Sequence, residues 1–147
     1  KFLENIDILN TFSKIISIII NPLLVAPLSF AILIYLDASL EMKHIFFSIS
    51  VLFTNILPLI TIYNFIQSGK VSSFDAPIKE QRRELLAFAA IYYAAGFILL
   101  WYMEAPPIVT GLMFCYAVNT AIVWRITMAW KISIHMIGLG GPIVALW

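Results

Sequence analysis

Hydrophobic and polar positions divide this chain into long uncharged blocks separated by short charged ones. Residues 1–14 mix the two. Phe2, Leu3, Ile6, Leu9 and Phe12 fall towards one helical face, with Glu4, Asp7, Asn10 and Lys14 elsewhere, which is the pattern of a helix lying in a membrane interface. Residues 15–36 carry no charge, and at about 1.5 Å per residue such a helix covers a hydrocarbon core of roughly 30 Å. Similar blocks follow over 45–66, 85–103 and 107–124, and a fifth begins near 133 and runs to 147. The predicted architecture is an all-α polytopic transmembrane helix bundle forming a single domain, preceded by an interfacial amphipathic helix.

The breaks in the pattern add detail. Pro22 and Pro27 are expected to bend the first span, with Asn21 and Ser29 nearby to satisfy freed backbone groups, and Pro58 to kink the second. Residues 37–44 read as a solvated turn carrying Asp37, Glu41, Lys43 and an interfacial His44. Residues 67–83 form the longest polar stretch, with Gly69 and Pro77 as breakers. A tight turn over 104–107 ends in Pro106-Pro107, a pair suited to starting the next helix. Ala89, Ala90, Ala94, Ala95 and Gly96 in the third span, and Gly111 and Ala117 in the fourth, suit close helix approach.

Composition sharpens the class. With 62% hydrophobic residues and a mean hydropathy of +0.96, the chain lies outside the range of soluble domains. Nine Lys/Arg against eight Asp/Glu leave no basic stripe for a nucleic-acid partner. The single cysteine, Cys115, lies in an apolar run and reads as a small buried hydrophobe. The chain starts at Lys1 and stops at Trp147 inside an apolar run, so the expectation is a piece of a longer, six-span protein of a bacterial inner membrane.

Candidate chemistry lies where polar residues interrupt the fifth block. Lys131, Ser133 and His135 alternate with apolar residues, and Gly138, Gly140 and Gly141 follow, where backbone can approach a ligand closely. A cation, a hydroxyl and an imidazole so close together suit an anion or phosphate site. They also suit ordinary interfacial polar positions. Two spans separate this segment from Lys79, Arg82 and Arg83, and two crossings return the chain to the same membrane face. The short turn between spans three and four makes them antiparallel neighbours, so the two segments converge. Arginine forks match phosphate oxygens, lysine adds a point charge and a hydroxyl donates a further bond. An imidazole of unperturbed pKa about 6.5 can protonate a leaving alkoxide. The basic residues also suit a loop facing anionic lipid headgroups. None of these motifs calls for a metal or another cofactor.

In this order the residues resemble the type-2 phosphatidic acid phosphatase family of membrane lipid phosphatases. That family has a basic motif before its third span, a Pro-Ser-Gly-His element after its fourth, and a last motif carrying Arg, His and Asp. By that resemblance Lys79, Arg82 and Arg83 correspond to the first motif, and Ser133 and His135 to the serine and histidine of the second, with Lys131 beside them. The likeness covers residues 75–141. It implies that the basic residues and Ser133 bind the phosphate of a lipid phosphate or prenyl diphosphate, and that His135 protonates the leaving group. The pattern also departs from the family's. Asp75 stands where a lysine is expected, no proline follows Arg83, Ile134 replaces the glycine, and Trp130 or Lys131 stands in place of the proline. The third motif, which supplies the phosphorus-attacking histidine, has no counterpart in residues 1–147.

Two other readings remain open from sequence. One is a non-catalytic transmembrane subunit of a larger membrane assembly, with aromatic residues and histidines contacting lipids or pigments. The other is a transporter segment, which would show a charge or a discontinuous helix near midplane. Orientation is also open. Eight of the nine Lys/Arg fall on one side under this topology, with Lys43 opposite, and the positive-inside rule makes that side cytoplasmic. In family members the site commonly faces outside or lumen.

Overall fold

In a computed structural model of the chain, residues 22–37, 39–70 and 79–129 are described. The interfacial helix expected over 1–14, residues 15–21 of the first span and the fifth span over 133–147 lie outside them. Among the described residues all regular structure is helical: α1 (Pro22–Tyr35), α2 (Lys43–Gln67), α3 (Lys79–Tyr102) and α4 (Pro107–Thr127). Three of the four, α2 to α4, are long and apolar enough to cross a membrane, whereas α1 covers 14 residues. The outward faces are apolar as well. Leu28, Ile60, Ile91, Ile98, Phe114 and Ile122 are all exposed, as side chains facing lipid tails would be.

Both helical ends with positive φ are built the same way. At the end of α2, Gly69 (φ 70°) donates its N–H to the Ile66 carbonyl and Lys70 donates to Phe65. At the end of α3, Glu104 (φ 54°) donates to Trp101 and Ala105 to Leu100. Each is a paired six-to-one and five-to-two closure, which satisfies terminal carbonyls and needs a left-handed residue in the middle. The first has the glycine suited to it and the second a glutamate. Lys70 then lies over the Phe65 ring, its Nζ 5.1 Å from the centroid. On the α1–α2 turn, the Asp37 Oδ1 accepts from the Ser39 hydroxyl (2.6 Å) and backbone N–H (3.0 Å). Those bonds, with Lys43 nearby, hold the Asp37 carboxyl below its usual value.

The helices run alternately up and down. The turns over 36–42 and 103–106 lie at one end, which carries Asp37, Glu41, Lys43 and Glu104; the first residues of α3 and the last of α4 lie at the other. The buried core gathers towards the acidic end, from Ile34, Phe46, Leu100, Ala105 and Val109 to Phe30 and Tyr116. Exposed Trp101 and Tyr102 mark the same end, where amphipathic rings suit a headgroup boundary.

The second helix carries the main irregularity. Over Leu52–Ile56 it widens into a π turn, closed by the Leu57 N–H donating to the Leu52 carbonyl. Pro58 follows at once. It has no N–H to give Thr54, and its ring would strike the preceding turn, so an extra residue in that turn relieves the clash. The kink expected at Pro58 thus takes the form of a wider turn just before it.

Two sequence expectations are corrected. Cys115 is exposed on the outer face of α4 rather than buried; a small apolar group meets lipid as readily as protein, so hydrophobicity alone does not choose a face. Gly111 makes no close approach among the described residues, since a Cβ there would meet none of their atoms within 4 Å. Gly96 does: a Cβ on it would lie 2.9 Å from the Phe53 Cβ and 3.2 Å from the Met113 Cε.

Candidate functional site

The α3–α4 pair sets the geometry at the basic end. Gly96 meets Met113, and the rings of Tyr93 and Tyr116 lie 5.8 Å apart edge to face. These two points fix an antiparallel register that makes Leu100 level with Val109, Ala89 with Thr120, and Leu86 with Val123. The α4 members are all buried, as are Leu100 and Leu86. On both helices the positions alternate in steps of three and four residues, the spacing that keeps one seam facing its partner in a left-handed pair. In lipid the gain comes from packing and small residues rather than from expulsion of water.

Carried to its end, the same register sets Arg82 level with Thr127. Arg82 is half-buried, whereas Arg83 and Glu84 point outward and are exposed. Lys79 is the first residue of α3. These cations therefore sit on the first turns of a membrane-length helix instead of ending the polar connection, because α3 starts earlier than the apolar block suggests. Across the seam, Arg125 lies in the last turn of α4, its Nη1 3.4 Å from the Met128 Sδ. Lys131, Ser133 and His135 lie outside the described residues, so of the predicted site the described part is the run of Lys79, Arg82 and Arg83 along the first turns of one helix, with Arg82 towards the bundle and Arg83 away from it.

At the opposite end, the Tyr35 hydroxyl and the His44 Nδ1 are 2.8 Å apart, with Phe47 against the tyrosine ring. His44 is thus tied to the α1–α2 hairpin. Among the described residues no group of three or more His, Cys, Asp or Glu could hold a metal ion.

Of the buried hydroxyls the sequence reading singled out Ser29 as a partner for backbone groups, and Ser50, Thr54, Thr61 and Thr110 escaped it. Ser29, Ser50, Thr54, Thr61 and Thr110 each donate to the carbonyl four residues back, at 2.7–3.2 Å, the usual local solution for a hydroxyl in a helix. Thr54 also lies 2.9 Å from the Asn55 Oδ1, within the π turn. With the Thr61 proton directed at Leu57, the Tyr92 hydroxyl 2.8 Å away acts as donor and ties α3 to α2. Two hydroxyls differ. Those of Tyr116 and Thr127 are buried with no hydrogen-bond partner among the described residues. Leaving such a group unmade costs about 1–3 kcal/mol. Tyr116 is wedged between the Phe30 and Tyr93 rings, a packing role. Thr127 is at the basic end, fully buried, on the last seam layer with Arg82. No residue pattern announces this; only the seam register does.

No family model matches this chain, and neither does any curated protein or solved structure.

Proposed function

We propose that this chain is part of an integral membrane phosphatase acting on a lipid phosphate or prenyl diphosphate, with the headgroup held at the basic end of the bundle and the tail left among lipid. The observation that carries the reading is the α3–α4 register. It sets Arg82, with Lys79 and Arg83 on adjoining positions, beside the last turn of α4, and the chain reaches Lys131, Ser133 and His135 within a few residues of that turn. In this reading Arg82 and its neighbours neutralise phosphate oxygens, Ser133 donates to one of them, and His135 protonates the departing oxygen, an alkoxide from a lipid phosphate or the prenyl phosphate from a diphosphate. The attacking histidine of the family this chain resembles is a separate group, and residues 1–147 contain no counterpart of its motif. The bundle would comprise six spans in a bacterial inner membrane, with an interfacial helix over 1–14 and lipids as its surroundings.

The test is release of inorganic phosphate by the purified full-length protein from diacylglycerol phosphate and from a prenyl diphosphate. The expected result is release that falls at least about a hundredfold in His135→Ala, the scale of lost general acid catalysis. Equal release by the variant, or none by the wild type, would reject the reading and favour a non-catalytic subunit of a membrane assembly.

A further inference from the structure

The proposed phosphate site draws its cations from α3, but α4 also presents a group to it. Thr127 is fully buried and on the seam layer of Arg82, one layer beyond the buried pair Leu86 and Val123. Its hydroxyl has no partner among the described residues, although the carbonyl four residues back is the usual acceptor and five other hydroxyls of this chain use it. A threonine that forgoes this bond on the seam layer of an arginine has its proton free for an acceptor from outside. The surroundings favour an anionic acceptor: Lys79, Arg82 and Arg83 on α3 and Arg125 on α4 outnumber Glu80 and Glu84 at this end, and Arg125 offsets the negative carbonyl end of α4.

We infer that the Thr127 hydroxyl is a ligand-binding group which donates to a phosphate oxygen of the lipid headgroup held by Arg82 across the α3–α4 seam. This rests on the phosphate reading of the basic end, and adds to it a residue from α4 that the resemblance does not supply. Hydroxyl and guanidinium lie on facing helices, so a bound phosphate ester would bridge them and close the last layer of the seam. The empty-handed hydroxyl is then a cost of the ligand-free state, relieved on binding.

The experiment titrates the full-length protein in detergent micelles with fluorescent phosphatidic acid and, for comparison, fluorescent phosphatidylcholine, which lacks a phosphate monoester. Wild type should bind phosphatidic acid more tightly. Thr127→Val, of nearly the same shape, should weaken that binding roughly tenfold, as for loss of one hydrogen bond to a charged group, and leave phosphatidylcholine unaffected. It should also melt at a higher temperature than wild type without lipid. Thr127→Ser should retain the affinity. Tyr116→Phe, which removes the other unpartnered hydroxyl far from the basic end, should raise the melting temperature and leave affinity unchanged. Phosphatidic acid binding by Thr127→Val as tight as by wild type would overturn the inference, as would equal losses in the serine and valine variants or a wild type that does not distinguish the two lipids. The expected pattern in a protein that releases no phosphate would uphold Thr127 as a binding group and reject the phosphatase reading.

Discussion

Single residues show how local geometry overrides composition. Gly69 and Glu104 occupy the same left-handed position at the ends of α2 and α3, yet a residue with a Cβ is strained there by about 1–2 kcal/mol. Glu104→Gly should therefore stabilise the protein by up to about 1 kcal/mol, whereas Gly69→Ala should destabilise it by a similar amount. Thermal melting in detergent checks both, and a loss of stability in Glu104→Gly would mean that the glutamate side chain has a role of its own. Gly96 and Gly111 form a second contrast. Gly96→Ala forces its new methyl against the Phe53 Cβ, part of a neighbouring helix's stem, and should cost about 1–3 kcal/mol. Gly111→Ala meets nothing among the described residues and should be neutral or stabilising by roughly 0.5–1 kcal/mol. In sequence the two glycines read alike, because space around a helix depends on what packs there.

Among the elements, the apolar blocks were the readable part. The second, third and fourth blocks coincide with α2, α3 and α4, because a run of uncharged residues long enough to cross lipid has little choice but to satisfy its backbone as a helix. The start of α3 was less readable. Its first turns are Lys79, Glu80, Gln81, Arg82, Arg83 and Glu84, which look like a solvated connection but are all good helix formers and follow Pro77 without a further breaker. The π turn was hidden, since Pro58 signals a disturbance without specifying its form. Bonds between helices were hidden too, the Tyr92–Thr61 pair among them. Tyr92→Phe should lower stability by about 0.6 kcal/mol, the usual size of such a bond in membrane proteins. A double-mutant cycle with Thr61→Val in a mild denaturing detergent measures it, and full additivity of the two changes would show that the pair is not coupled.

At the scale of the molecule, charge and topology agree on two unlike ends. One carries Asp37, Glu41 and Glu104 with Lys43; the other carries Lys70, Lys79, Arg82, Arg83 and Arg125 with Glu80 and Glu84. A basic end is what both a phosphate site and the positive-inside rule call for, so charge alone does not separate the two. The seam does more, since it brings Arg82 into the bundle while Arg83 and Glu84 face outward. Half of the candidate site was thus legible as a cluster of cations in the sequence. Thr127 was not, because its significance lies in a hydrogen bond that its helix does not make and in a neighbour 45 residues away in the chain.

The central claim is that the start of α3 and the segment following α4 meet at one membrane face around one ligand. Cross-linking tests it most directly. In a Cys115→Ser background, cysteines replacing Arg83 and Ser133 should be joined within one molecule by a short bis-maleimide, whereas a pair replacing Glu41 and Ser133 should not. Failure of the first pair to join while each cysteine reacts with a monofunctional maleimide, or joining of the second pair, would contradict the convergence on which the site depends.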